Sequence, residues 1–203
     1  MNAQRKFWNW FLQHEATLFD FDPEQEAERE KLFDELAGAM QEVHPNLTFE
    51  FSPKSTTREF VISADGIKAA FPSVVSLTDA APSLPGWQVT AFRPRRDPIN
   101  IVSLGPKKVD TRDVQFSLLT DGKTAGLYLF IPGFQESDID WKQIGYLMLD
   151  EALGEFDVET KLGMIEMLSP GTSTEGIRHP LPELPALFDD LVVQLEGRSG
   201  RLS

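Results

Sequence analysis

The chain has 203 residues, no cysteine, and 19 basic against 32 acidic side chains, for a formal charge of −13. That length suits one domain or two small ones, and a 41% hydrophobic content is that of a globular chain rather than a disordered one. The lack of cysteine excludes a disulfide framework, thiolate zinc sites and a cysteine nucleophile, and no run approaches the ~20 apolar residues of a membrane span. The opening residues, MNAQRKFWNWF, lack the apolar run and cleavage site of a signal peptide, so a cytoplasmic location is expected.

Taken in chain order, the first segment has helical spacing. Phe7, Trp10, Phe11 and Leu18 fall on one face with Trp8, Leu12 and Phe19 beside them, a wide aromatic stripe that must dock on a core. Asp22-Pro23 ends that helix and starts a second over 24–43, with Leu32, Phe33, Leu36, Met40 and Val43 in register. Glu24, Glu26, Glu28 and Glu30 crowd its beginning, where the helix dipole favours anions. An N-terminal helical hairpin over 1–45 follows.

The period then changes to two. Leu47, Phe49 and Phe51 alternate with polar residues, and Arg58 to Ala64 supplies a second strand. The stretch 67–80 is helical but contains Pro72, which predicts a kink or two short helices. Trp87 to Arg93 alternates again, so 46–93 is a β-β-α-β block. A loop over 98–111, with a short strand at 99–104, leads to a second block over 114–168. There, strands at 114–119 and 124–131 flank the Asp121-Gly122 turn. A helix from Trp141 to Leu153 starts on the box Asp140/Gln143 and stops at Gly154, and a strand covers 161–168. The joint expectation is an α+β domain over 1–168, with a mostly antiparallel sheet of six or seven strands and helices covering one face. Residues 169–203 should form a loop, a short helix over 184–195 and a frayed end from Gly197.

Four segments, Phe7 to Phe11, Phe60 to Gly66, Phe92 to Arg95 and Leu149 to Glu155, resemble an uncharacterised bacterial protein family over Phe7 to about Leu168. That family has no assigned activity. The resemblance therefore implies a single domain and no catalytic residue.

Two constellations carry chemical interest. Charge is uneven: residues 1–50 hold 4 basic against 11 acidic side chains, 51–130 hold 10 against 7, and 131–203 hold 5 against 14. The positive excess centres on Arg93, Arg95, Arg96, Lys107, Lys108 and Arg112. Guanidinium groups so placed could grip a carboxylate or phosphate, form a partner surface, or pair with the protein's own acids. The second constellation is Asp150, Glu151, Glu155, Asp157 and Glu159, with Asp150 and Glu151 in the last helical turn, where the dipole opposes them. These acids could act as an acid–base pair, bind a hard cation, or pair with Arg93, Arg95 or Arg96; pairing is the favoured reading. His14, His44 and His179 are far apart, no metal or cofactor motif is present, and no nucleophile elbow or phosphate loop occurs.

The expectation is thus a non-catalytic acidic module that binds a basic protein, and neither nucleic acid nor membrane. The alternative is an enzyme or small-anion binder, with Arg93 and Arg95 facing Asp150 and Glu155. Arg93, Arg95, Arg96, Asp150, Glu151 and Glu155 are the candidate residues, with no catalytic group, metal ligand or cofactor assigned.

Overall fold

A computed structural model describes residues 2–99 and 101–199. The chain is α+β, and its contacts group into two compact units, Met1–Arg93 and Pro94–Ser203. The division falls between the two expected β-β-α-β blocks.

In the first unit, α1 (Ala3–Asp20) and α2 (Glu26–Gln41) make the expected hairpin. Asn2 caps α1, its side chain accepting a hydrogen bond from the Arg5 amide at 3.0 Å. Phe7, Trp8, Phe11 and Leu18 are buried, whereas Trp10 is half-buried and Leu12 exposed. The buried stripe is therefore centred nearer Trp8 than the spacing predicts. The Trp8 indole donates to the Leu77 carbonyl at 2.8 Å, a long-range bond that helical period cannot reveal.

Strand β1 (Thr48–Phe51) pairs antiparallel with β2 (Arg58–Ser63), and β2 pairs parallel with β3 (Trp87–Ala91). Helix α3 (Phe71–Asp79) makes the crossover. Pro72 sits in its first turn, where no amide donor is required, and a 3₁₀ turn at Lys68–Ala70 precedes it. The anticipated kink is thus a junction of two short pieces. One face of this sheet carries Phe49, Phe51, Phe60, Ile62, Val89 and Ala91, which share a single apolar cluster with all three helices. Phe60 lies at its centre, with the rings of Phe11 and Phe51 5.1 and 5.2 Å away.

The second unit opens with a separate hairpin, β4 (Ile101–Leu104) and β5 (Lys107–Asp110). A four-stranded sheet follows, in the order β8-β7-β6-β9, from β6 (Gln115–Thr120), β7 (Ala125–Phe130), β8 (Leu162–Leu168) and β9 (His179–Pro180). Again the first pair is antiparallel and the second, β7 with β8, parallel. The crossover is double: α4 (Ile139–Leu153), then α5 (Glu155–Lys161). Gly154 separates them with φ 82°, a conformation that favours glycine. Asp138, not Asp140, caps α4, accepting from the Asp140 amide at 3.0 Å. Helix α6 (Leu184–Ser199) packs its Leu184, Phe188 and Leu195 into the same core as β7 and α4. Helix therefore continues past Gly197 to Ser199, and residues 200–203 of the expected frayed end lie outside the described residues.

Among the described residues there are six α-helices and three sheets of three, two and four strands. The single sheet of six or seven strands is thus corrected, while four of the six described strand pairings are antiparallel as expected. Alternation identifies a strand and its buried face but not the edge it meets, and here each β-β-α-β block closes its own core. Strands β5 and β9 and helix α5 were also not anticipated, because each is seven residues or shorter and lacks a clear apolar period.

Candidate functional site

The six candidate residues fall into two groups, one in each unit. Arg93 follows β3. Inward and outward side chains alternate along β3 from Trp87 inward, so residue 92 should point out. Instead Phe92 adopts φ 63°, donates its amide to the Ile62 carbonyl at 2.8 Å, and packs its ring 4.6 Å from that of Phe71. This left-handed residue costs the backbone about 1 kcal/mol and shifts the alternation by one step, so that Arg93 is turned away from the apolar core. There Arg93 bonds Glu50 through Nε, and its Nη2 lies 2.7 Å from Asp65 Oδ1. Burial by itself would lower the Arg93 guanidinium; the charge and hydrogen bond of Glu50, then those of Asp65, outweigh it and hold the group above its ordinary value.

Arg95 belongs to the second unit and uses its whole fork. Nε donates to the Leu153 carbonyl at 2.7 Å, in the last turn of α4. Nη1 and Nη2 each lie 2.8 Å from an oxygen of Asp189 on α6, and Nη2 also lies 2.9 Å from Asp157 on α5. One side chain thus ties together three helix segments. Asp189 raises the guanidinium and is itself lowered by Arg95, while Asp157 also bridges Lys161 at 3.0 Å. The Arg96 amide donates to the Glu151 carbonyl at 2.7 Å.

The acidic run is resolved by the break at Gly154. Asp150 and Glu151 end α4, but Glu155 and Asp157 open α5, where the dipole favours them. Asp150 and Glu155 are buried, and both are engaged. Of the expected pairings, Arg95 with Asp157 forms within the second unit; within the first unit, Arg93 pairs with Glu50 and Asp65. Lys107 and Arg112 of the positive stretch are also paired with nearby acids. Lys107 lies 2.8 Å from Asp138 and 2.6 Å from Asp140, and Arg112 grips Asp110 with Nη2 at 2.5 Å. Hydrogen bonds from the Arg112 side chain and amide push Asp110 down to about 2, and Lys107 lowers Asp138.

One residue of consequence was missed. Arg58 is buried on the inner side of β2, where its guanidinium donates to the carbonyls of Ser52 at 3.1 Å, Leu18 at 3.1 Å and Phe19 at 2.6 Å. It stacks 3.9 Å from the Phe21 ring centre and 5.3 Å from that of Phe51. Burial lowers it, and Asp20 partly restores it. The signal was present: Arg58 is in phase with Phe60 and Ile62, the core positions of the same strand.

The histidines with described side-chain contacts are engaged locally. His14 stacks on Trp10 at 4.2 Å, and His179 lies 3.1 Å from Glu183. Among the described residues, no three His, Asp or Glu side chains converge as metal ligands, and no helix is long and apolar enough to cross a membrane. Among the described residues of the second unit, a surface hollow of about 380 Å³ lies beside β8 and α4, and another of about 380 Å³ lies between β6 and α6. Compared with known proteins, the chain matches no family model, no curated protein and no solved structure.

Proposed function

We propose that this chain is a non-catalytic, cytoplasmic protein-binding module whose partner is a basic protein, with neither nucleic acid nor membrane as a target. The observation that carries this reading is the internal neutralisation of the positive stretch. Arg93 is held between Glu50 and Asp65, and Arg95 between Asp157 and Asp189. A phosphate or carboxylate ligand would have to break these pairs before it gained a donor. What remains outside is negative: Met1–Arg93 holds 8 basic against 14 acidic side chains, and Pro94–Ser203 holds 11 against 18. Such a field accelerates encounter with a basic surface and repels polyphosphates. Exposed Glu26, Glu30 and Asp34, one turn apart on α2, strengthen it.

The test is affinity capture from source cells at about 50 mM and about 300 mM salt, which shortens the screening length roughly 2.5-fold. Mass spectrometry identifies the retained proteins, and a Glu26→Lys/Glu30→Lys/Asp34→Lys variant runs in parallel. A basic protein that is retained at low salt, released at high salt, and associates roughly three- to tenfold more slowly with the variant supports the reading. Salt-insensitive capture of an acidic protein, or a small anion carried through native mass spectrometry, overturns it.

A further inference from the structure

We infer that the open edge of β8 is the docking site, where an extended, basic segment of a partner protein adds to the second unit's sheet as a fifth strand and seats an apolar side chain in the hollow beside it. This rests on the basic-partner reading and gives that reading a place on the molecule.

Sheet order leaves β8 terminal, with β7 on one side and, among the described residues, no strand on the other. The Leu168 carbonyl accepts from the Ile131 amide at 2.9 Å, so the polar backbone groups of Leu168 face β7. By the two-residue repeat, so do those of Glu166, and those of Ile165 and Met167 face the open side. The adjoining hollow of about 380 Å³ touches Ile165, Glu166, Met167 and Leu168 in succession. Neighbouring side chains on a strand point to opposite faces, so a cavity meeting four in a row lies along the strand's edge.

Helix α4 forms the other wall through Lys142 and Tyr146, and Phe134 adds apolar surface. Gly145 permits the close approach of α4 to β8: a Cβ there would lie 2.3 Å from Met167 Sδ. Exposed edges in natural sheets are blunted by lysine, proline or bulges. Here the bulge is confined to Gly163, the run Met164 to Leu168 has no lysine or proline, and Met164 is 40% exposed. Charge selects the occupant. Glu136 and Glu166 at the hollow outnumber Lys142, and the unit is acidic, which favours a basic segment and disfavours a second copy of this chain.

The experiment uses the full chain and a capped, dye-labelled seven-residue peptide that alternates Lys or Arg with Val, Phe and Val. Two controls accompany it: the same peptide with Glu for every cation, and the same peptide N-methylated at alternate amides. Fluorescence anisotropy is expected to show both controls binding at least tenfold more weakly. Amide hydrogen exchange is expected to show protection gained over 164–169. Ile165→Pro, which removes an outward-facing donor, should weaken binding by at least tenfold. Because proline can also loosen the strand, the N-methylated peptide, which leaves the protein intact, decides the matter. Equal affinity for the N-methylated peptide, protection elsewhere than β8, or a peptide-free dimer with β8 protected each overturns the proposal. Salt-sensitive binding of the basic peptide that leaves β8 unprotected overturns this site alone; failure of every basic probe, together with the capture experiment, removes both readings.

Discussion

Replacing Arg58 with alanine tests whether a buried guanidinium organises the first unit. The substitution removes donors to the carbonyls of Leu18, Phe19 and Ser52, two of which belong to the last turn of α1. It also uncovers the rings of Phe21 and Phe51. Net worth is ~1.5–3 kcal/mol for a hydrogen bond from a charged donor and ~2 kcal/mol for a desolvated cation–ring contact. The freed carbonyls recover some water, and these losses do not add fully. Against them stands the cost of burying the charge, which Asp20 only partly offsets. A loss of about 3–5 kcal/mol is expected. Arg58→Lys should recover less than half, because an ammonium cannot present the same planar fork to three carbonyls.

The assay is urea unfolding read by tryptophan fluorescence. Trp8, Trp10 and Trp87 lie in the first unit and Trp141 in the second, so the signal weights the unit being perturbed. A lower midpoint with an unchanged slope is the expected result. An alanine variant within ~0.5 kcal/mol of the parent, the range of ordinary surface changes, would refute the organising role.

Arg93→Ala should cost less, about 1–2 kcal/mol, because Glu50 and Asp65 are 43% and 65% exposed and water takes over part of their solvation; an unchanged urea midpoint would defeat the account. Phe11→Ala should lose ~3–5 kcal/mol from the core, while Trp10→Ala, at a half-buried position, loses about 1; equal losses would show that the α1 stripe is misplaced. Acid should destabilise the second unit. Asp110, Asp138 and Asp189 are held below their ordinary value of 3.8, so their contribution is complete above that pH and is lost as pH falls below it, for Asp110 on the approach to about 2. Urea midpoints between pH 6 and 2 read this directly, and Asp189→Asn should flatten the acid limb; a parent profile level down to pH 2 contradicts the ion-pair assignment.

Local patterns were enough to place most of the long elements. The alternation of Phe49 and Phe51, the helical spacing of Leu32 to Met40, and Gly154 as a helix stop all correspond to observed structure. Pro72 marked the start of α3 correctly as a break, although not which of two forms it takes. The site was less legible. That the cations pair internally was expected, yet Arg93 pairs with acids 43 and 28 residues away in sequence. Arg58 escaped notice because a charged residue beside a turn ordinarily faces water.

What the residues alone determine is the α+β alternation of periods, the duplicated β-β-α-β order, the acidic excess and the absence of thiol chemistry. Those are properties of neighbours along a chain, written in spacing and composition. Only tertiary structure decides that the described strands divide among three sheets, that Arg58 on β2 caps the end of α1, and that β8 is the terminal strand of its described sheet. Each of these depends on groups far apart in sequence, whose meeting is selected by the packing of a whole core and leaves no local periodic trace.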